Sequence, residues 1–541
     1  MEPVFLPKFF MPMRHRSLIL LLALLPLLAT AQPLSLDPGF GQSGAATSQK
    51  DGWGREAYCM VRQPDGKLLA AGVEYEKNSM LIQQAIITRF QPDGQPDNSF
   101  GINGSVKIVT GNKNGASAMS LQPDGKIVVA GNETVIVQGP SVEIISRPFI
   151  ARFNANGTPD NSFGSNGIHH LSQLYTYFMA TNLAAITVLP SGKIVAGGAG
   201  YTATTIKMML LRLNADGSFD NSFATSGVGQ YSIENDKNTS LWDMAVQSDG
   251  KIVLAGTTEY SSLPAPGDLA FALARINANG TPDISFGTQG MVATRISGPG
   301  GLEIMDIARK VLLLPDGKIT LAGTAGFTLG MARYLPDGSP DPGFGQGGKI
   351  IHPLHPAATG MALLNGKLYT CGTASTESGR SRISISAFNA DGSTNHTFAP
   401  DGILTTHIYD NDYTQDMLAQ PDGKLVTAGA FSGEETAGAS GLMLTRFKPG
   451  AATGITPAKG QQTIVTLYPN PASDLLTLTM EHAAAIPQGH IDIISVSGQV
   501  VYSGMFRGVR TTLQVGHLAR GMYALRINTG NEVQTLKFVK K

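Results

Sequence analysis

The chain has 541 residues, enough for a large body and one small appended domain. Its 40 Lys+Arg balance 40 Asp+Glu, so no broad field draws it toward nucleic acid or anionic lipid, and neither is expected as a partner. Sixty-four glycines and 31 prolines without a collagen period fit a turn-rich all-β protein. Its two cysteines, Cys59 and Cys371, read as small core residues with free thiols rather than as a disulfide.

Residues 1–31 have the form of a signal peptide. Lys8, Arg14 and Arg16 supply the positive region, Leu18 to Leu28 the apolar run, and Ala29-Thr30-Ala31 a small-residue cleavage site. That run is too short for a comfortable membrane span, and no other stretch qualifies, so no transmembrane segment is expected in the mature protein.

From residue 32 to 448 one pattern recurs at about sixty residues, the mark of a copied supersecondary unit. A tight turn centred on Gly66, Gly125, Gly192, Gly250, Gly317, Gly366 and Gly423 joins two short strands in each copy. Phe40, Phe100, Phe163, Phe223, Phe286, Phe344 and Phe398 mark the same place in successive units. The strand after the turn is continuously apolar, as in Ile127–Ala130 and Ile252–Ala255, which suits a strand covered on both faces. The strand before it favours small residues such as Ala116, Ala118 and Ala245, as convergence on an axis requires. Four strands per unit and seven units predict a seven-bladed β-propeller. The chain enters just before a fourth strand and leaves after a third one, so a segment near Gly44–Lys50 is expected to complete the last blade and close the ring.

Third strands carry Arg89, Arg152, Arg212, Arg275, Arg333 and Arg446. Eight residues after the first five stand Asp97, Asp160, Asp220, Asp283 and Asp341, while Asp37 holds the matching place for Arg446 at the other end of the chain. In the sixth unit both charges are lost together, at Ala387 and Asn395. This covariation predicts a structural Arg–Asp ion pair in each blade, with Arg446–Asp37 clasping the ring.

In this strand order the short repetitive turns share one face and the loops of variable length share the other. Binding residues favour variable loops on a rigid scaffold. The candidate ligand-binding residues on that face are Trp53, Tyr175, Tyr177, Trp242, Tyr260, His352, His355, His407 and Tyr409, beside which His169 and His170 also fall. The run Asn214–Asp220 has the spacing of an oxygen-rich calcium loop, but Arg212 stands where a carboxylate is wanted, and a hairpin turn is expected instead. His352-x-x-His355 with His407 has metal-ligating chemistry without an assignable second shell, so no metal site and no cofactor are assigned. Neither a Gly-x-Ser-x-Gly elbow nor a His-Glu-x-x-His pair occurs, and no catalytic residue is assigned.

Residues 449–462 read as a Gly/Ala/Thr/Pro-rich linker, and 463–541 as a small β-sandwich of about seven short strands. This segment carries Tyr468-Pro469-Asn470-Pro471, a Ser-Gly turn at Gly498, and Arg520-Gly521-Met522-Tyr523 before a terminal strand. In these blocks it resembles the type A sorting domain of the type IX secretion system. The resemblance implies a bacterium of the Bacteroidota, the secretion machinery as a partner, and a secreted or surface-attached product. The body, with Pro-Asp-Gly-Lys-Ile-x-x-Ala-Gly paired to Arg-Phe-Asn-x-x-Gly-x-x-Asp-x-Ser-Phe-Gly, resembles the delta-60 repeat, which brings no defined catalytic residues. The reading is an exported, non-catalytic propeller scaffold for an unidentified glycan or protein ligand. A hydrolytic or glycan-active propeller enzyme and a structural envelope protein are the alternatives.

Overall fold

A computed structural model describes residues 34–541 apart from 78–81, 112, 139–141, 234–236, 261–267, 298–304, 377, 400, 434–439, 450–463, 482–487, 496–498, 509 and 529–532. The signal-peptide segment, nearly all of the linker and Gly498 lie outside the described residues. The chain divides into two compact units, 1–451 and 452–541.

Among the described residues the first unit is a succession of seven four-stranded antiparallel sheets, the first two joined along an edge where Gln83 pairs with Lys113. Their first strands are Trp53–Arg62, Lys113–Leu121, Ala180–Val188, Thr239–Val246, Asp306–Leu313, Gly360–Leu364 and Asn411–Ala419. Each of these touches the first strand of the next sheet, and the seventh touches the first, so the innermost strands form a closed cycle. The architecture is a β-propeller. The seventh sheet takes its fourth strand from the other end of the chain, where Ala45–Gln49 pairs antiparallel with Ser440–Pro449. Leu34–Leu36 extends that pairing on the same strand toward Pro449.

Local chemistry explains the repeated turn. Gly66 takes φ +92°, a conformation that costs a side chain steric strain, and its N–H donates to Gln63 O at 2.9 Å. The Asp65 carboxylate accepts from Lys67 N at 3.1 Å, and Asp124, Asp249, Asp316 and Asp422 do the same in their own turns. The second strands that follow are buried on both faces. Val128, Ala130 and Ile150 of the second sheet share one core with Leu183, Ile194 and Met209 of the third.

Each third-strand arginine joins its own blade to the next. Arg152 Nε lies 2.7 Å from Asp160, and the corresponding separations are 2.8 Å for Arg89–Asp97, 2.6 Å for Arg212–Asp220, 2.7 Å for Arg275–Asp283 and 2.7 Å for Arg333–Asp341. Arg446 meets Asp37 at 2.9 Å, across the two ends of the chain. The guanidinium also lies over the repeat phenylalanine, 4.5 Å from the Phe163 centroid in the case of Arg152. Its remaining N–H groups cross to the neighbouring sheet. Arg89 donates to Ala155 O, Arg152 to Ala215 O, Arg212 to Ala278 O, Arg275 to Pro336 O, Arg333 to Ala390 O and Arg446 to Pro92 O. A third partner comes from the turn: Lys67, Lys126, Lys193, Lys251, Lys318 and Lys424 reach the same six aspartates. Burial alone would raise the Asp97 pKa, but Ser99, Lys67 and Arg89 outweigh it and hold the carboxyl at about 2.

The second unit has two antiparallel sheets around one core. Ile464–Tyr468, Leu475–Glu481 and Arg510–Gln514 form one, and Gln488–Ser495, Val500–Arg507, Gly521–Asn528 and Val533–Lys540 form the other. Leu476, Leu478, Ile491, Ile493, Leu525 and Phe538 fill the space between them.

Candidate functional site

Six of the seven innermost strands carry a β-bulge at the same place, and the extra residues are Tyr58, Ser117, Ala184, Trp242, Arg309 and Gln415. The cause is a glycine on the adjoining second strand. A Cβ on Gly72, Gly198, Gly256, Gly323 or Gly429 would fall 1.8–2.0 Å from a first-strand carbonyl oxygen, so only glycine lets the bulged backbone come so close. Bulges re-aim side chains, and here one residue per blade is re-aimed beside the axis.

Two clefts on the variable-loop face use these positions. Tyr58 and Ser117 line one of about 230 Å³ between the first and second blades. Arg309 and Gln415 line another of about 580 Å³ between the fifth, sixth and seventh, with Phe327, Leu354, His355 and Thr373. Phe327 is 93% exposed and Leu354 72% exposed, so the rim of the larger cleft is apolar while its floor carries hydroxyl and amide groups. Beside it Arg309 lies over the Trp242 indole at 5.2 Å, joining the bulges of the fourth and fifth blades.

Below the bulges, charge is neutralised internally. Lys310 Nζ lies 2.9 Å from Asp416 Oδ1, while Asp416 Oδ2 accepts from Met60 N at 3.0 Å. Asp243 accepts from Met244 N and Val311 N, both at 2.9 Å. Both oxygens of each carboxylate are thus engaged, which suits ties between inner strands rather than acid–base work. Burial raises the Asp243 pKa despite the attraction of Lys310. It also lifts the Cys59 and Cys371 thiols to about 12, and the two remain free.

The nine residues selected from sequence do not form one cluster. His355 lines the larger cleft, and Trp242 meets it through Arg309, which lies over its ring. His352 stacks on His355, with ring centroids 3.6 Å apart, and packs against Phe388. His355 is buried and its Nε2 meets Asp401 O at 2.9 Å; burial lowers its pKa to about 4. His407 is exposed, and among the described residues no group of three His, Cys, Asp or Glu is arranged to hold a metal. Trp53 is capped by Lys50 at 3.9 Å, and Tyr260 by Arg295 at 5.9 Å. Tyr175 donates to Ser146 O, Tyr177 to Thr225 O, and Tyr409 stacks on Phe431 at 4.0 Å. His169 lies against Phe163 and Phe219, and His170 is 3.6 Å from Glu133. The Asn214–Asp220 oxygens are taken by the hairpin itself: Asn214 donates to Ser218, and Ser218 to Asp216.

In the second unit Asn470 grips the last strand, donating to Lys537 O at 3.1 Å and accepting from Val539 N at 2.9 Å. Tyr523 stacks on Phe538 and donates to Ala519 O. Tyr468 stays partly exposed under Arg510, and Gly521 opens its strand. Pro469 and Pro471 flank Asn470 and complete the motif.

Comparison with known families finds the domain of unknown function (DUF5122) β-propeller at residues 63–100, 122–163, 189–223, 247–286, 314–344 and 420–449. The secretion system C-terminal sorting domain matches residues 466–541. The gap between 344 and 420 contains the sixth unit, which lacks the arginine and the aspartate. No curated protein matches. Among solved structures, the PorZ surface component of the type IX secretion system of Porphyromonas gingivalis is 11% identical, with a TM-score of 0.29. The match covers 90% of this chain and 59% of that one, so the chain spans less than two thirds of that protein. A protein of unknown function from Bacteroides caccae is 12% identical over 62% of this chain and 94% of its own, with a TM-score of 0.31. The propeller domain of the Trilobed protease from Pyrococcus furiosus is 11% identical over 69% and 92%, with a TM-score of 0.34. Likeness at this level assigns no activity.

Proposed function

We propose that this chain, a DUF5122 β-propeller protein exported through its secretion system C-terminal sorting domain, is a non-catalytic binding scaffold that meets its ligand at the mouth of the variable face. The sorting domain marks the chain for a secreted or cell-surface location and for contact with the secretion machinery. The observation that carries the binding role is the series of glycine-enforced bulges. Gly72, Gly256 and Gly323 allow Tyr58, Trp242 and Arg309 to project from the inner strands of the first, fourth and fifth blades beside two clefts. Clefts lined by aromatic and polar groups suit recognition of an extended ligand. The inner-strand carboxylates favour this over hydrolysis, because Asp243 and Asp416 hold backbone amides and Lys310 rather than a free proton site.

The test is a glycan and protein array probed with the purified exported chain, followed by titration of the best binder against Trp242→Ala. Loss of binding by about tenfold or more supports the mouth as the site, on the scale of one aromatic contact. Undiminished binding in that variant, or turnover of the bound ligand, defeats the reading.

A further inference from the structure

Among the described residues, the larger cleft holds a cation without a counter-charge. Arg309 makes no ion pair and no side-chain hydrogen bond with any described residue; its one recorded partner is the Trp242 ring. Other basic residues of the propeller differ. Lys310, the next residue, is matched to Asp416, and Arg295, Arg380 and Arg333 are matched to Asp268, Asp410 and Asp341. Burial lowers the pKa of the Arg309 guanidinium. A half-buried guanidinium stays charged, and Arg309 is among the residues that line the cleft. Asp243 and Asp416 cannot turn to serve it without releasing Val311 N and Met60 N.

Around this charge the cleft presents polar groups and the Phe327 ring. The side chains of Gln415, Ser375 and Thr324 make no hydrogen bond with a described residue. Phe327 lines the cleft and is almost fully exposed, and the Trp242 ring lies 5.2 Å from the Arg309 guanidinium. An unpaired forked donor, free hydroxyl and amide groups, and flat apolar surfaces are the complement of a pyranose ring bearing a carboxylate. We propose that this cleft is a subsite for an acidic sugar of the hexuronic class, with Arg309 as the carboxylate-binding residue and Trp242 as the residue that positions it. This rests on the binding role proposed above. An acidic peptide would satisfy the charge, but it has less use for hydroxyl and amide groups spread about a ring-sized cleft of about 580 Å³.

The experiment is calorimetric titration of the full exported chain with a galacturonate tetramer, its fully methyl-esterified form, and a hexaglutamate peptide. Binding of the free acid, with loss of about 10- to 100-fold on esterification and the same loss in Arg309→Gln, is the expected result. Arg309→Lys keeps the charge without the fork and should recover part of the affinity. A thermal unfolding scan of each variant separates a lost contact from a lost fold. If Arg309→Gln does not fold, the esterified tetramer in the native chain decides the matter alone. Equal binding of acid and ester overturns the proposal while leaving the mouth as a binding site if Trp242→Ala still weakens both. Preference for hexaglutamate overturns the sugar assignment. Absence of binding to any of the three overturns the acidic subsite, and the array result with neutral ligands then judges the broader reading separately.

Discussion

At the third strand of most blades a single arginine contacts four groups: an aspartate, the repeat phenylalanine, a serine or main-chain oxygen, and a carbonyl of the next blade. For Arg212 these are Asp220, Phe223, Ser222 and Ala278. Removing one member leaves the others buried and uncompensated, so Arg212→Met or Asp220→Ala should cost about 3–5 kcal/mol of unfolding free energy, measured by urea denaturation. Ser222→Ala removes a neutral donor and should cost only about 1 kcal/mol. The acid limb should follow from two kinds of group. The carboxyl of Asp97 sits at about 2 when folded, below its ordinary value, so its contribution is complete above about pH 4 and is lost as the pH falls toward 2. His355 acts earlier. Its folded value of about 4 lies below the usual 6.5, so between those limits only the unfolded chain takes up the proton and stability falls as the pH drops. The groups that face it are His352 and Asp401. Denaturation midpoints should therefore decline in two stages, and His355→Gln should flatten the first stage alone. A single transition below pH 4 in the native chain would contradict the assignment.

At the scale of the element, the bulge and its glycine form one device. A Cβ on Gly256 would sit 1.8 Å from Ser240 O, so Gly256→Ala must push the first strand of the fourth blade away or straighten it. The expected cost is about 1–3 kcal/mol, with loss of the Trp242 near-ultraviolet circular dichroism signal as the indole leaves Arg309. A variant that kept that signal would show that the glycine does not set the bulge. The same device explains what could and could not be read from the chain. The turn at Gly66, the apolar second strands and the eight-residue step from Arg152 to Asp160 are periodic features that repeat comparison exposes directly. Repeat comparison also shows the Ala-Gly ending of the second strands, but not what the glycine is for. A bulge shifts the in–out alternation by one residue, so Arg309 and Gln415 read as ordinary alternating positions until the pairing register is known. Aromatic content on variable loops is a weaker guide, because such rings are used in internal contacts, Tyr409 on Phe431 of a strand and Tyr177 on Thr225 O. The lysine after each turn is visible as a motif residue, but its reach to Asp160 or Asp220 depends on the two hairpins lying side by side.

At the scale of the whole molecule the two units have separable tasks, and each can be removed. Deleting 463–541 should leave the propeller folded but retained inside the cell envelope, as read by fractionation and surface protease access. The ring itself depends on its clasp. Ala45–Gln49 supplies the outer strand of the seventh blade, Leu34–Leu36 lengthens that seam, and Arg446 adds Asp37 and Pro92 O to it. Six junctions carry such an arginine, but the sixth blade has Ala387 there and contributes none to its junction with the seventh. The seventh blade is therefore stitched forward to the first by an arginine, and toward the sixth it has instead apolar packing through residues such as Ala362, Ile385 and Leu425, with side-chain bonds such as Thr359 to Thr414 O and Ser381 N to Asn411. A chain lacking residues 32–50 loses the forward seam as well, which exposes the edge of Ser440–Pro449 to water and to other edges. Such a chain should be cut first within the seventh blade in limited proteolysis, unfold at lower urea with reduced cooperativity, and self-associate through the open edge. Arg446→Met in the intact chain should show the first two effects more weakly and the third not at all, because the strand remains paired. If the truncated chain unfolded with the native midpoint, closure by the N-terminal strand would contribute nothing to the stability of the ring.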